Sequence, residues 1–514
     1  MIHLAQEVPS VAKRSDKRTY CMSIATIPVL IIGAGPCGLT AAAFLTHYGI
    51  PCRIIDKKVG PTQTSNAVGV HARVLELFEE IGITDQLLQL GQEINYGNLF
   101  VHKKQLATVH LSHIQSKYAF VCDIPQNSTE HCLLTYLKSH QLSVDYGVQA
   151  ISIKQDADCV HVLCDTAGNQ ETITASWVIA ADGYHSLVRE QLGIPYLGNE
   201  YGFKFKMIDA PIACKHIKNN FVIAMAEDIS LMIFPMQHSA RMIAEISQAP
   251  QYDDATPDEV LFQTFAHKTL PYPVEIKKPL WSSQFYVHER LASSYQKQRI
   301  FLVGDAAHVH IPAAAQGMNT GMQDAMNLAW KLAATWKHKL DHHLLDTYHA
   351  ERHPVGESVL SLTDKMGRGA LTKNKILDCV RSFMLPKLSK FTFLQRKLVN
   401  QIAQLNVHYR DSPLVQGKTL KILRAGDRIA ELPIPQLQGK HLILDFSGQL
   451  SETLISKDYA IIYRVTAQDR TRMPEWSTIQ AGYCVVRPDR YIGYVGTCTQ
   501  DVEKYFKTVY SFNA

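Results

Sequence analysis

Three glycines constrain this chain more than any other feature. Gly33, Gly35 and Gly38 form Gly-x-Gly-x-x-Gly within "VLIIGAGPCGLTAAAFL", where a short apolar run from Val29 closes and apolar residues from Leu39 to Leu45 resume at helical spacing. "CRIIDKK" follows as a second strand ending in Asp56. The order predicts a strand, a tight turn, a helix and a parallel strand. In such a unit the first glycine permits the turn, the second lets the backbone approach a pyrophosphate and the third lets helix and strand pack closely. The helix N-terminus offers N–H groups and a positive dipole end to phosphates, and the acid is placed to accept from a ribose hydroxyl. A dinucleotide site is expected, and these glycines alone do not separate a nicotinamide from a flavin.

A chain of 514 residues exceeds one ordinary core, so two or three domains are expected. Helices are predicted over Ala72 to Glu80 and Ser128 to His140, with antiparallel strands continuing to about Asp165. "ASWVIAADGYHSLVRE" reads as a buried strand ending in Asp182-Gly183. From Tyr201 to Val287 the pattern is strand-like, as in "SLMIFPM" and "ARMIAEI", which implies a sheet-rich region inserted into the first domain. "RIFLVGDAAHVHIPAAAQGMNTGMQDAMNLAWKLA" then restores the α/β pattern, with a helix beginning near Asn319. Leu340 to about Val407 reads as helical, punctuated by Pro354 and Pro386. Beyond it "HLILDF", "YAIIYRV", "YCVVRPDRYIGYV" and "DVEKYFKTVY" suggest a separate α/β module. The expected division is a tail over 1–22, a first part of the cofactor domain over 23–200 that includes some substrate-domain strands, a β-rich substrate domain over 201–290, a second cofactor part over 291–365, a helical linker over 366–410 and a C-terminal domain over 411–514.

Composition removes several function classes. The net charge of +5 is spread along the chain, which leaves no basic footprint for nucleic acid. No window approaches the ~18 apolar residues of a membrane span, and the N-terminus lacks the apolar core of a secretory signal. Met22, just before the first strand, is an alternative start. The 11 cysteines are scattered and form no Cys-x-x-Cys pair, which fits a reducing, cytoplasmic setting. His338, His342, His343, His349 and His353 lack the acid or cysteine spacing of a metal site, so no metal is expected.

The glycine motif, the Asp-Gly motif at Asp182 and the Gly-Asp motif at Gly304-Asp305 occur in the order that identifies class A, single-component FAD-dependent aromatic monooxygenases, and the chain resembles their phenol and polyketide hydroxylase branch from about Ile27 to its C-terminus. The resemblance implies an α/β fold with a Rossmann-like FAD-binding domain, an inserted β-sheet substrate domain and a C-terminal thioredoxin-like domain; "AGDRIAELP" and "VVRPDRYIGYV" resemble that last module. Carried over residue by residue, FAD would be held by Gly33, Gly35, Pro36, Gly38, Asp56, Arg73, Gln126, Asp182, Gly183 and Arg189. Gly304 and Asp305 would meet its ribityl or pyrophosphate end, and Gly317, Met318 and Asn319 the pyrimidine edge of its ring. For Arg73, a helix-surface ion pair with Glu76 or Glu80 is the competing reading. His308 and His310 read as structural.

The implied reaction uses NAD(P)H to reduce FAD, molecular oxygen to form a flavin C4a-hydroperoxide, and a small phenolic, polyketide or antibiotic-like aromatic compound as acceptor of one oxygen atom. Phe234, Phe285 and Tyr286 are expected in the substrate wall, and the sequence leaves monomer and homodimer both open. Two departures stand out: Asn66 where relatives carry a basic residue, and Ala314-Ala315 where they carry a glycine pair. The alternatives are a flavin oxidase or reductase on the same fold, and a non-catalytic protein that binds FAD and a ligand.

Overall fold

Apolar β-branched strands buried on both faces belong in the middle of a parallel sheet, and Ile27–Ile32 takes that place. It pairs in parallel with Cys52–Asp56 on one side and Asn169–Ala180 on the other; Val144–Tyr146 and Ile300–Leu302 extend the sheet outward, also in parallel. The chain reverses its direction of growth at Ile27–Ile32, so a crevice opens there beyond the carboxyl ends of the strands. The computed structural model describes residues 26–510 except 64, 66, 227–228, 248–255, 311–314, 372–390 and 435. The tail expected over 1–22, Met22, Asn66, Ala314, Pro386 and much of the expected linker lie outside the described residues.

The second sheet has eight strands and stands over the crevice. Its centre is the long strand Tyr196–Ala210, paired antiparallel with Ala240–Glu245 and with Trp281–Ala292. The hairpin Tyr96–Val101 and Lys104–His110 forms its far edge. One face packs Ile208, Ala224, Leu231 and Met242 against the helix Asp258–Thr269. The other turns Phe205, Met207, Phe234, Ile243 and Phe285 toward the crevice. That helix interrupts a region whose pattern reads as strand. Its signals are Pro257 before the first turn, Asp258 and Glu259 within it, His267 and Lys268 in the last turn, and buried Leu261, Phe262 and Phe265 on one stripe.

Two long helices follow, Gln316–His338 and His343–Leu371, and the second runs through Pro354 instead of stopping there. The C-terminal sheet has the order Gln416–Gly417, Ile492–Gly496, Tyr483–Val486, His441–Asp445, Ala460–Arg464. The last two strands are parallel, while His441–Asp445, Tyr483–Val486 and Ile492–Gly496 pair antiparallel in succession. This module is not free-standing. Leu442 and Leu444 face its own core, whereas Ile443, Val485 and Tyr494 join the core that also holds Trp330 and the first sheet, as the period of two requires.

Charge is buried where the module meets the long helices. Both oxygens of Glu351 accept from Arg487, at 2.6 and 2.8 Å, and Glu351 also accepts from Lys331, Asn327 and Ser412. Asp489 accepts from Arg487, Asn327 and Trp330. Arg73 joins this region: it is fully buried, pairs with Glu76 at 3.1 Å, donates to the Asp489 carbonyl at 2.8 Å and lies 4.7 Å from the Tyr491 ring centre. The phosphate role drawn from the resemblance is therefore corrected for Arg73. The ion pair with Glu76 is the observed one, and it is internal.

Candidate active site

The tight turn after Ile27–Ile32 is built from glycine for steric reasons. Gly33 has φ +104°, and a Cβ there would lie 2.2 Å from the Ala181 carbonyl oxygen; a Cβ on Gly38 would lie 1.9 Å from the Gly33 oxygen. Gly35 differs, because nothing lies within 4 Å of the position its Cβ would take. It opens onto a cavity of about 800 Å³ that runs from this turn, past the ends of the parallel strands, to the second sheet. The helix Pro36–His47 starts at Gly35 with proline in its first turn and no side-chain cap, so its leading amides are left for a ligand.

Asp56 closes the second strand with both carboxylate oxygens engaged, one by the Ala34 N–H at 2.7 Å and one by the Lys58 N–H at 2.8 Å. Each retains acceptor capacity toward the cavity it lines. Lys57 and Lys58 line the same end. The segment "CRIIDKK" carries both, with no pattern that marks them as ligand-binding, and with Arg73 turned away they supply the positive charge there. Gln126 begins the helix Gln126–Ser139 at the cavity edge, its amide tied to Glu130 at 2.8 Å.

Asp182 and Gly183 form the opposite lip, with Gly183 at φ +82°. Burial pushes the Asp182 carboxyl upward; one oxygen accepts from the Val188 N–H, and the other is buried without a hydrogen-bond partner. Arg189 does not line the cavity. It donates to the carbonyls of Ala306 and Tyr184 and stacks 3.8 Å from the Tyr196 ring centre, so it ties the Asp-Gly turn to the Gly-Asp turn. Direct cofactor contact by Arg189 is corrected to this bracing position.

Gly304, at φ +59°, passes close to Cys37 and presents Asp305 to the cavity. Asp305 stands exposed at the cavity, and desolvation by the chain packed around it raises its carboxyl, with His308 acting in the opposite sense. Beneath the turn His308 bonds Asp324 at 2.7 Å, and Asp324 bonds Arg352 at 2.7 Å, all three buried. The long helix begins at Gln316, one turn earlier than its sequence suggests, after Ala315 in a left-handed conformation at φ +53°. Gly317 and Met318 line the cavity. The Asn319 side chain is spent elsewhere: it accepts from the His71 N–H and donates to the carbonyls of Gly69 and Ala315, locking the strand Val68–Val70 to the helix start.

The second sheet supplies the far wall. Phe234, Phe285 and Tyr286 all line the cavity, together with Met207, Ile243, Ser283 and His288. Tyr184 stacks on His288 at 5.1 Å. Arg241 also lines it and had no counterpart in the sequence reading. Its signal was a polar residue on the inward-facing register of "ARMIAEI", in step with Ile243.

An extended dinucleotide fits these residues. A bare Gly35, uncapped helix amides, a carboxylate at the second strand and an unpartnered buried Asp182 oxygen provide, in sequence along one cavity, what a pyrophosphate and polyol chain need. Among the described residues no group of His, Cys, Asp and Glu is arranged to hold a metal, and no helix is long and apolar enough to cross a membrane.

Comparison with known proteins agrees. A family model described as an FAD binding domain matches residues 26–363. The chain is 34% identical over 398 residues to 6-methylpretetramide 4-monooxygenase of Streptomyces rimosus, covering 76% of this chain and 71% of the relative. It is 28% identical to rifampicin monooxygenase of Streptomyces venezuelae, covering 92% and 96%. Among solved structures, the anhydrotetracycline hydroxylase OxyS from Streptomyces rimosus superposes with a TM-score of 0.78 at 24% identity, over 95% of this chain and all 100% of that one.

Proposed function

The chain belongs to the FAD-dependent aromatic monooxygenases that carry this FAD binding domain, and from that premise we propose that it hydroxylates a phenolic, polyketide or antibiotic-like aromatic compound in the space between Met318 and the second sheet. The observation that carries the reading is continuity: one cavity joins the dinucleotide turn at Gly33 to the aromatic wall of Phe234, Phe285 and Tyr286. FAD, when bound, accepts hydride from NAD(P)H and activates oxygen. Everything else falls to the chain.

In this reading Gly33, Gly35, Pro36 and Gly38 admit the pyrophosphate to the first helix, Asp56 takes the ribose, and Lys57 and Lys58 offset phosphate charge. Asp182, Gly183, Gly304 and Asp305 flank the polyol chain, and Gln126 meets it from the other side. The amides of Gly317 and Met318, at the positive end of a 23-residue helix, favour negative charge on the ring edge they face. Asn319 and Arg189 hold that geometry without touching the cofactor. Met207, Phe234, Ile243 and Phe285 exclude water from the aromatic end, which limits wasteful loss of activated oxygen as peroxide.

The strand order and directions of the C-terminal sheet, followed by the helix Thr499–Val509, support a thioredoxin-like reading of that module. Without a Cys-x-x-Cys pair its role is packing. A cytoplasmic location and a homodimer complete the proposal; exposed Phe391 and Phe393 offer apolar surface for a second copy, and sedimentation at several concentrations tests it.

The deciding experiment follows NADPH consumption and peroxide release by the FAD-loaded protein in air, with a panel of phenols, polycyclic quinones and aromatic antibiotics. A compound that accelerates NADPH loss and gains one oxygen atom with little peroxide establishes the reaction. Flavin reduced by a substrate without NADPH would establish the oxidase alternative instead.

A further inference from the structure

A second cavity, of about 520 Å³, opens on the side of the second sheet that faces away from the crevice. Strand alternation puts it there. Tyr96, Asn98 and Phe100 share one face of their strand, and Asn220 shares that face on the parallel strand Asn220–Met225. Phe221, the next residue, turns the other way and stacks on Phe234. The rim is the segment just before Asn220. Ile217 plugs into the core beneath the helix Asp258–Thr269, while Lys215, His216 and Lys218 around it stay exposed and line the cavity. The segment is fastened to the sheet: the Lys218 N–H donates to Asn220 Oδ1 at 3.2 Å, and the Asn219 carbonyl accepts from the Asn95 N–H at 2.9 Å.

Three asparagines in the lining are polarised the same way. Asn98 Oδ1 accepts from Gln105 and from Thr108, each at 3.0 Å; Asn219 Oδ1 accepts from Gln92 at 3.3 Å; and Asn220 Oδ1 is taken by Lys218. In each, the carbonyl end is used, and among the described residues nothing accepts from the amide nitrogen. Asn98 is half-buried and Asn219 exposed, so their N–H groups are open to a ligand; that of Asn220 is sealed and contributes only its dipole. Lys215 and Lys218 make no ion pair among the described residues, and no carboxylate lines the cavity. His216 stacks on Tyr272 with ring centres 4.5 Å apart, and Tyr272 meets the edge of Phe100, so one wall is flat and aromatic. Spare donors and unpaired cations gathered in a concavity focus a positive potential that an anion would neutralise.

We propose that this cavity is a second binding site, for a small organic oxyanion, with a carboxylate or phosphate group held by Lys215, Lys218 and the amide N–H groups of Asn98 and Asn219, and with the body of the ligand against the His216–Tyr272 stack. The site shares no lining residue with the cofactor cavity, so it goes beyond the monooxygenase reading and stands without it. Its volume lies in the range that takes a small molecule. An oxyanion suits it because carboxylate and phosphate oxygens only accept, and the four groups named only donate. A neutral ligand of the same shape would leave both lysines without a counter-charge.

The test is calorimetric titration of the FAD-loaded full chain with phenyl phosphate, benzoate and inorganic phosphate, and with benzamide as the neutral probe. Phenyl phosphate or benzoate should bind with a dissociation constant below about 1 mM in low salt and at least about tenfold tighter than benzamide. A lead for phenyl phosphate identifies the ligand as a phosphate ester, and a lead for benzoate identifies it as a carboxylate. Raising NaCl from about 50 to about 500 mM should weaken binding at least about threefold, since the lysines are exposed. Asn98→Asp keeps the oxygen that serves Gln105 and Thr108 and puts a negative charge where the spare donor stood. It should cost at least about tenfold in affinity while the melting temperature stays within about 2 °C. The double variant Lys215→Ala/Lys218→Ala should lose as much. Absence of binding below about 5 mM, benzamide binding as tightly as the anions, or an affinity that survives in both variants overturns the site. Inorganic phosphate binding as tightly as its phenyl ester overturns the organic ligand, because the aromatic wall would then contribute nothing.

Discussion

Replacing Glu351 by glutamine should expose how the C-terminal module is fastened to the cofactor domain. Glu351 balances two buried cations, Arg487 and Lys331, both inaccessible to solvent. Glutamine keeps the shape and part of the hydrogen bonding but removes the negative charge. Breaking one side of a buried ion pair costs about 3–5 kcal/mol because the remaining charge stays buried. Lys331 offers an escape. Burial already pulls it down to about 8 against the pull of Glu351, so without that carboxylate it sheds its proton near neutrality. The unfolded chain holds the lysine proton up to about pH 10.4, so the folded state binds fewer protons than the unfolded state above the folded value and stability rises with pH there. In the variant that rise starts earlier. The deficit relative to wild type should therefore be largest at or below pH 7 and shrink by about 1.4 kcal/mol by pH 9, the worth of one pH unit. Urea unfolding followed by far-UV circular dichroism at pH 7 and pH 9 measures both numbers. A deficit that is identical at the two pH values, or smaller than about 1 kcal/mol at pH 7, refutes the charge-balance reasoning.

Gly35→Val should leave the melting temperature of the FAD-free protein within about 2 °C, since the position is open and its φ of −81° suits any residue, while weakening FAD at least about 100-fold by filling the pyrophosphate path. Titration of flavin fluorescence checks it, and an unchanged affinity would remove the glycine turn from the cofactor site. Gly33→Ala should behave in the opposite way and lower stability by more than 3 kcal/mol, because the added carbon meets backbone and φ is +104°; a normal melting curve would contradict it. His441 is buried between the hydroxyls of Tyr505 and Tyr510, and burial lowers it to about 3. Its folded value lies below its unfolded one, so its contribution is constant above pH ~6.5 and falls by about 1.4 kcal/mol per unit as pH drops toward the folded value. The stability difference between wild type and His441→Phe should shrink at that slope between pH 6.5 and 4.5, and a constant difference would count against a neutral buried histidine.

What the sequence reveals of this protein depends on how far apart the partners lie along the chain. The turn from Gly33 to Asp56 is legible because every group in it is local: Asp56 grips Ala34, and Gly38 packs on Gly33. The aromatic wall is legible for a different reason, since strand alternation puts Phe234 and Phe285 on one face without any knowledge of what that face meets. The place of Arg73 is not legible in the sequence because its partners, Asp489 and Tyr491, belong to the last domain, and no short pattern distinguishes a phosphate-binding arginine from one that anchors a module. Arg241 is hard to see for the same cause, since its partner Asp209 lies on another strand. Yet Arg241 carried a readable trace. A cation in register with Met207, Phe234 and Ile243 on the buried face of a sheet must be neutralised, and Asp209 two residues beyond Met207 is the acid that alternation places beside it. Neutralisation uses two of the three guanidinium nitrogens, and the third makes no hydrogen bond. A sequence can thus report that a charge is buried and paired; which guanidinium nitrogen is left without a hydrogen bond is decided by geometry, and here it is Nη1.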